Sequence, residues 1–346
     1  MTKELKPTYG NFTLRGQIVW KSRKNAFRED TGKNGYQYRA LEFGVKTTKK
    51  NIVTVKLFQT KFNKIKLKNS ETKKLDEEVN YGEHTGILPD GYELFMPLHL
   101  GLSQDADGEN IKEKLIQYDA IDYINNNLHD GDTVFMFGSP RFSEFTDKDK
   151  NVITQVEFEP RGIFKSTIGF EEEGFESESV FDQQLVIHQS EKKENKLIVD
   201  AFIITDKKGT FVSNRFFIDI DKYKDFALNV HKLKFGTVLS VEGFINHTVE
   251  EKEVETNDGW GESPSKNTIT NVKRELEITK AKKPKKEDIA FYKQEDFVKK
   301  ENKPKKDDDD SFNKKDDNNS DGDWGGSPNS SDSDNGVFDN DDDPFA

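Results

Sequence analysis

The segment at residues 131–138, with the sequence GDTVFMFG, has a counterpart at residues 236–243, GTVLSVEG. In both segments two glycines lie seven positions apart. Each follows a stretch of helical character that begins near Tyr118 or Tyr223, and each precedes a strand rich in Val, Ile and Thr. The first glycine suits a turn out of a helix, and the second suits a bulge or a close backbone approach. The pattern therefore predicts that one structural unit occurs twice.

The sequence around the first segment predicts a barrel. Alternating β-branched and aromatic residues predict strands at residues 12–20, 36–47 and 52–62, followed by a polar insertion. Apolar residues at helical spacing predict a helix at residues 110–128, and the last strand is predicted at residues 152–164. Three strands, a helix and two strands are the element order of the OB-fold, a five-stranded Greek-key barrel.

The same order is predicted around the second segment. Strands at residues 184–189, 196–205 and 211–220 precede a helix at residues 223–233 and a closing strand at residues 268–279. The predicted fold class is therefore all-β dominated, with tandem OB-fold domains that each contain one helix. The predicted organisation is a first OB-fold domain at residues 1–166 with an insertion at about 63–109, a second OB-like domain at 180–280, a basic linker at 281–306 and a disordered acidic tail at 307–346.

The net charge of −12 hides an asymmetry along the chain. Residues 307–346 contain 14 Asp and two Lys, so the tail accounts for the whole negative charge. Residues 1–68 contain 17 Lys and Arg against four Asp and Glu, a net charge of +13. The basic end indicates a polyanionic partner, and the tail has too few apolar residues to form a core.

The first three strands carry the candidate binding site. If Leu41, Phe43 and Val45 face the barrel core, alternation places Tyr38 on the outer face, and Phe58 follows by the same rule on the next strand. Exposed rings stack on bases whatever the sequence, and Lys and Arg neutralise phosphates. The residues predicted to bind single-stranded DNA are Arg15, Trp20, Lys21, Arg23, Lys24, Phe27, Arg28, Tyr36, Tyr38, Arg39, Lys56, Phe58, Lys61 and Phe62.

For two of these rings the sequence leaves open whether the side chain is buried or exposed. Most of the 27 Phe residues are expected in the core, so Phe58 is open between a core role and a stacking role. Trp20 shares the parity of Ile18 and is open between burial and exposure.

The second domain is a weaker candidate for DNA binding. Residues 167–280 contain 15 basic and 22 acidic residues, a net charge of −7. Arg215 and Trp260 are predicted as secondary single-stranded DNA contacts, but acidic residues surround Trp260 in its loop. We therefore favour self-association or a secondary contact for this domain.

No catalytic pattern is evident in the sequence. The chain contains no Cys, and its six His do not have the spacing of metal ligands, so we predict no enzymatic activity, no cofactor and no metal site. Asp130 and Asp132 are the one carboxylate pair that a nuclease hypothesis would use, but a polar turn entering a strand is the favoured interpretation. Neither a signal-peptide pattern nor an apolar run of roughly 20 residues is present, so we expect a cytoplasmic protein without a membrane partner.

The last residues allow a comparison with a known family. Residues 336–345, GVFDNDDDPF, resemble the acidic tip of bacterial single-stranded DNA-binding proteins, which also contain an OB domain and a disordered linker. The tandem arrangement looks more like the single-strand binders of large tailed phages. This resemblance implies that the tip docks a polymerase, helicase or primase through Asp341, Asp342, Asp343, Pro344 and Phe345. The tip departs from the family pattern because no apolar residue separates Asp343 from Pro344, and because Ala346 follows Phe345.

The sequence thus predicts a protein of the phage single-stranded DNA-binding type, which coats single strands without sequence preference in replication, recombination or repair. If phage-encoded, it would act in the host cytoplasm. The alternatives left open are single-stranded RNA as the ligand, a homo-oligomer, and an interaction scaffold or recombination mediator that does not coat DNA.

Overall fold

The computed structural model describes residues 3–32, 35–105, 108, 110–148, 150–256 and 265–297, with backbone only for residues 249–256 and 265–272. The predictions for the acidic tail, its docking tip and Trp260 lie outside the described residues. None of the helices in the described part of the chain is long and apolar enough to cross a bilayer.

The first half of the chain forms a barrel with an insertion. Its strands are β1 Gly10–Val19, β2 Phe27–Thr31, β3 Gln37–Lys46, β4 Ile52–Thr60, β5 Lys64–Asn69, β6 Glu77–Asn80, β7 Tyr92–Leu94, β8 Leu98–Gln104, β9 Asn110–Leu115, β10 Thr133–Thr146 and β11 Val152–Lys165, and its helix is α1 Gln117–Asn127. β1 pairs with β3 and β10, β3 pairs with β4, and β10 pairs with β11. β4 and β11 run parallel where Val55 meets Phe158, which closes the barrel in the order β1-β3-β4-β11-β10.

The second half repeats this arrangement. It contains β12 Glu178–Lys193, β13 Lys196–Ile204, β14 Phe211–Asp219, α2 Lys224–His231, β15 Val238–Thr256 and β16 Ser265–Ala281. These strands close in the order β12-β13-β14-β16-β15, with β14 and β16 parallel where Phe217 meets Glu277. The predicted fold class, two OB-fold barrels with one helix each, is confirmed.

The repeated glycines have the same structural roles in both barrels. Gly131 and Gly236, which follow the helices, have φ angles of 94° and 77°. The strand register shifts at Gly138 and at Gly243. A Cβ atom on Gly138 or Gly243 would lie 2.0 Å or 1.8 Å from a carbonyl oxygen of the paired strand. The prediction of one turn glycine and one bulge glycine in each copy is therefore confirmed.

The two barrels are joined along equivalent strands. β1 and β12 pair antiparallel, with Phe12 opposite Phe181. Across the other edge of each strand, Phe12 lies opposite Gly138 and Phe181 lies opposite Gly243. Buried side chains from both barrels form one hydrophobic cluster, so the barrels share a continuous sheet and a common core.

The prediction for the first helix needs correction. The helix begins at Gln117, and Asn110–Leu115 is instead strand β9, which pairs with β8. Ile111 and Leu115 lie four residues apart, a spacing that fits one face of a helix and produced the wrong prediction. The free edge of β8 instead pairs this stretch as a strand. The predicted insertion is itself folded, because β5, β6 and β7 form a separate small sheet.

The predicted basic linker also needs correction over its described part. Residues 282–297 pack on the second barrel, where Tyr292 is buried beside Leu5 and Ile204. Phe297 stacks on Phe202 with 4.5 Å between ring centroids. Aromatic burial holds this segment in place despite its high Lys content.

Candidate nucleic-acid interface

One outer surface of the first barrel contains basic and aromatic side chains from β2, β3 and β4 and from the loop after β1. The residues predicted to face inward on β3 and β4 are buried: Leu41, Phe43, Val45, Val53, Val55 and Leu57. Because β-strand side chains alternate, their neighbours point outward. We call the resulting surface, which consists of Trp20, Arg23, Arg28, Tyr38, Lys56 and Phe58, the β2–β3–β4 face.

Two rings form the centre of the face. The ring centroids of Tyr38 and Phe58 lie 5.3 Å apart at an angle of 32°. Phe58 is 57% exposed, so of the two positions left open for it, the core and the outer face, it takes the outer face. Ala40 lies directly opposite Phe58 on β3, and its small side chain leaves the rings uncovered. This pair offers an apolar, sequence-independent surface on which a base can stack.

Trp20 lies at one end of the face. Its φ angle of 69° turns the chain as β1 ends, and its side chain is half-buried against Gly44 of β3. A Cβ atom on Gly44 would lie 2.8 Å from Cε3 of Trp20, so the missing side chain makes room for the indole. Arg23 covers the indole, with its Cζ atom 4.3 Å from the ring centroid. A guanidinium held on an indole combines a phosphate contact with a stacking surface.

Charges on the face are mixed, with a basic excess. Arg23 and Arg28 are exposed, and Lys56 forms an ion pair of 3.2 Å with Glu42. Asp30 of β2 lies opposite Tyr38 and is a second acidic residue of the face. An exposed ion pair is weak, so Lys56 can exchange Glu42 for a phosphate at low cost.

Asp130 anchors the loop that carries Trp20 and Arg23. Its carboxylate accepts hydrogen bonds from the backbone N–H groups of Lys21 at 2.8 Å and Ser22 at 3.0 Å, and from the Ser22 hydroxyl at 2.5 Å. Burial alone would raise the pKa of Asp130, but these hydrogen bonds and the Lys21 charge together lower it below its ordinary value.

The neighbouring carboxylate has a structural role too. Asp132 accepts the N–H of His129 and pairs with Lys165 at 2.9 Å. Together with the bonds to Asp130, this confirms the interpretation of residues 130–132 as a polar turn. Among the described residues no group of three or more potential metal ligands occurs.

Four predicted contacts point away from the face and are corrected. Phe27 lies opposite Leu41 and packs against the core. Lys21 is half-buried, and its ammonium group donates to the carbonyl oxygen of Asn125 at 2.7 Å. Arg39 and Lys61 share the inward parity of the core residues at the barrel end.

The inward environment of Arg39 and Lys61 is a polar cluster under α1. The Arg39 guanidinium pairs with Glu29 at 3.2 Å and lies 4.2 Å from the Tyr118 ring centroid, while the Lys61 ammonium lies 4.5 Å from the Tyr81 ring centroid. Both cations are therefore engaged within the protein. A strict count of strand parity would have placed both residues on this side.

The remaining predicted contacts lie around the face or elsewhere. Tyr36 and Phe62 are exposed next to the strand ends nearest Tyr38 and Phe58, and Lys24 is exposed in the loop after β1. Arg15 lies outside the face, on β1 beside Phe135 of β10. On the second barrel, Arg215 is exposed and pairs with Asp200 at 2.9 Å.

Comparisons with known proteins identify a family for this chain. A family model described as YorF matches residues 102–315. The chain belongs to the YorF family. The YorF match begins within β8, so β1 to β4, which carry the candidate interface, precede the matched residues. A search of curated proteins finds no match.

Two solved structures of the single-stranded DNA binding protein from Thermus aquaticus are similar to this YorF-family chain. A deletion mutant has a TM-score of 0.39 and 10% sequence identity, and the alignment covers 80% of this chain and 95% of that chain. The wild-type protein has a TM-score of 0.38 and 10% identity, with 81% of this chain and 95% of that chain covered.

Proposed function

We propose that this YorF-family chain binds single-stranded DNA without sequence preference and coats it stoichiometrically, without catalysing a reaction. The observation that carries the proposal is the outward-facing Tyr38–Phe58 ring pair on β3 and β4, with 5.3 Å between ring centroids, in which Phe58 is exposed and Tyr38 is half-buried. This wall of an OB-fold barrel is a frequent nucleic-acid surface, and stacked rings accept any base.

Charge and shape support a single strand over a duplex. Arg28 and Lys56 lie beside the ring pair and Arg23 lies on the Trp20 indole, and these three cations can neutralise phosphates. The rings stack only on bases that are unstacked from their neighbours, which a duplex does not present. The face shows no arrangement that reads the sugar, so DNA is proposed over RNA by the resemblance of the tail alone.

The acidic tail is proposed to recruit partners. By resemblance to single-stranded DNA-binding proteins, the tip would dock a replication or recombination enzyme through Asp341, Asp342, Asp343, Pro344 and Phe345. A tethered anion also has an effective concentration on the order of millimolar near a basic surface, so the tail would compete with weak polyanions. Deleting residues 307–346 is expected to raise affinity for short single strands and to abolish binding to a polymerase or helicase.

The test of binding is fluorescence anisotropy with the full chain. A labelled single strand of about 30 thymidines and a duplex of equal length are titrated at several salt concentrations. Contacts from Arg23, Arg28 and Lys56 predict a slope of log K against log salt of about −2, since each phosphate contact to a single strand contributes about −0.7. Far weaker binding to the duplex is expected, and equal affinity for both would refute the proposal.

A further inference from the structure

A second group of outward-facing rings, of which Phe137 is exposed and the others are half-buried, lies on strands that do not contribute to the β2–β3–β4 face. Phe135 and Phe137 of β10 and Phe164 of β11 point outward from the first barrel. Phe135 lies opposite Phe164, Phe137 lies opposite Gly162, and β11 pairs in turn with β8, which places Gly101 opposite Phe164. We call this surface the β8–β10–β11 platform.

Two of the rings lie flat on the sheet because glycines lie beneath them. A Cβ atom on Gly162 would be 2.5 Å from Cε1 of Phe137, and a Cβ atom on Gly101 would be 2.6 Å from Cδ1 of Phe164. The planes of Phe137 and Phe164 differ by 14°, with centroids 6.2 Å apart. Each ring therefore covers the backbone of a glycine with one face. Phe137 is still 36% exposed, so its other face is turned to solvent.

Basic groups surround the platform. Arg15 lies with its Cζ atom 5.6 Å from the Phe135 ring centroid. Arg161 is exposed as the extra residue of the β-bulge next to Gly162. In the strand register His99 lies opposite Gly162, and exposed Lys114 of β9 lies opposite His99.

Acidic groups lie at both ends of the platform. At the Phe137 end, Glu159 of β11 lies opposite Ser139 and forms an ion pair of 2.9 Å with Arg141. Acidic residues also lie at the opposite end. Glu178 of β12 lies opposite Arg15, and Glu176 lines a cavity of about 300 Å³ that Arg15 and Phe135 also line. Because Glu159 is paired with Arg141, the end formed by Phe137, Arg161 and Lys114 keeps a basic excess. A flat ring with one face turned to solvent can stack on a base, and cations beside it can contact the phosphates of an unpaired strand.

We propose that the β8–β10–β11 platform is a second stacking site for single-stranded nucleic acid, which engages a strand long enough to leave the β2–β3–β4 face and pass around the barrel. This inference rests on the proposed function. The competing explanation is purely structural, since an aromatic ring over a strand glycine also shields the sheet. Leucine would shield the glycines as well but would not stack on bases, which separates the two explanations.

The experiment compares the full chain with the double variant Phe137→Leu/Phe164→Leu. The matched control is Phe145→Leu, a ring that is 47% exposed farther along the same β10–β11 hairpin. The probes are labelled oligonucleotides of about eight and about 40 thymidines, because one OB barrel covers roughly 4–16 nucleotides. The double variant is expected to bind the short probe like wild type and the long probe about tenfold more weakly, whereas the control binds both normally.

The outcomes distinguish this inference from the proposed function. Unchanged binding of the long probe by the double variant, while the wild type binds both probes, overturns the platform and leaves the proposed function standing. Binding of neither probe by the wild type overturns the proposed function itself.

A second measurement uses the wild-type chain, so the inference can be tested even if the double variant misfolds. The long probe, carrying 5-bromodeoxyuridine, is photo-cross-linked to wild-type protein, and cross-linked peptides are identified by mass spectrometry. Adducts at Phe137 or Phe164 support the platform, and adducts confined to residues of the β2–β3–β4 face overturn it.

Discussion

Replacing Asn51 by Ala is expected to destabilise the contact between the barrels. Asn51 lies between β3 and β4 and forms a bridge with Thr248 of β15. Its side-chain oxygen accepts the N–H of His247 at 2.7 Å, and its amide group donates to the carbonyl oxygen of Ile245 at 2.9 Å and to the hydroxyl of Thr47 at 3.0 Å. One side chain of the first barrel thus satisfies backbone groups of the second.

The magnitude follows from the groups that lose a partner. In Asn51→Ala the N–H of His247, a buried residue, loses its side-chain acceptor, which costs about 1–3 kcal/mol. The carbonyl oxygen of Ile245 keeps the Ser179 hydroxyl at 2.8 Å, so its loss is smaller. Because Asn51 is half-buried, we expect the free energy of unfolding to fall by about 2 kcal/mol.

The neighbouring imidazole does not compensate for this loss. Burial lowers the pKa of His247 to about 3, and the charge of Arg274 adds to the decrease, so the ring is neutral at pH 7. Its Nδ1 atom already lacks a hydrogen-bond partner among the described residues. No additional charge is therefore available to strengthen the contact when the amide is removed.

The assay is urea unfolding at pH 7, followed by far-UV circular dichroism. The control is Asn63→Ala, an exposed residue whose side chain lies outside the contact between the barrels. A loss below about 0.5 kcal/mol in Asn51→Ala, the size typical of a surface substitution, would refute the reasoning.

Three further predictions concern the loop, the face and the C-terminal segment. In Gly44→Ala the new Cβ would lie 2.8 Å from the Trp20 ring, so we expect a shifted tryptophan emission and about tenfold weaker single-strand binding; unchanged emission and affinity would contradict this. The pKa of Asp130 is lowered on folding, so its contribution to stability is present above the unfolded pKa and is lost as pH falls through the folded pKa. Asp130→Asn should therefore be less stable than wild type in urea at pH 7, with the gap narrowing below about pH 4, and a constant gap would argue against the anchor. Phe297→Ala removes the ring that stacks on Phe202 at 4.5 Å and should accelerate trypsin cleavage at Lys285 and Lys286, whereas an unchanged digestion rate would mean that the ring does not hold the segment.

The sequence was sufficient for the barrels because alternation and glycine spacing are local signals. Residues of β3 and β4 alternate with period two, so the inward set around Phe43 followed directly. Alternation placed Phe58 on the outer face, but the sequence left a core role open, and its exposure in the fold decided between the two. The paired glycines, such as Gly138 and Gly243, marked bulges whose cause is backbone contact in the folded sheet. Pattern and fold agree here because both depend on the same two-residue period.

The part of the site that the sequence did not predict correctly depends on contacts between distant parts of the chain. Arg39 and Lys61 are basic, but their role follows from α1 and the insertion, which supply Tyr118 and Tyr81. Positive charge alone did not reveal that both side chains were already engaged. Strand alternation would have distinguished these two residues, which have the inward parity, from Lys56, which has the outward parity.

The rings outside the predicted site were missed for a similar reason. Phe137 and Phe164 belong to a residue type that is usually in the core, and their outward position was evident only in the folded sheet, where Gly162 and Gly101 lie beneath them. In the segment taken as a linker, Tyr292 and its aromatic neighbours indicated packing, but the abundance of Lys obscured the signal.

The central claim is that the Tyr38–Phe58 ring pair binds single-stranded DNA, and the affinity of the double variant Tyr38→Ala/Phe58→Ala tests it most directly. The control is Tyr9→Ala, a ring that is 72% exposed outside the face. Stacking is worth about 1–3 kcal/mol per base, so the double variant is expected to bind a strand of about 20 thymidines roughly 10- to 100-fold more weakly, with an unchanged circular dichroism spectrum. A folded double variant with wild-type affinity would contradict the account.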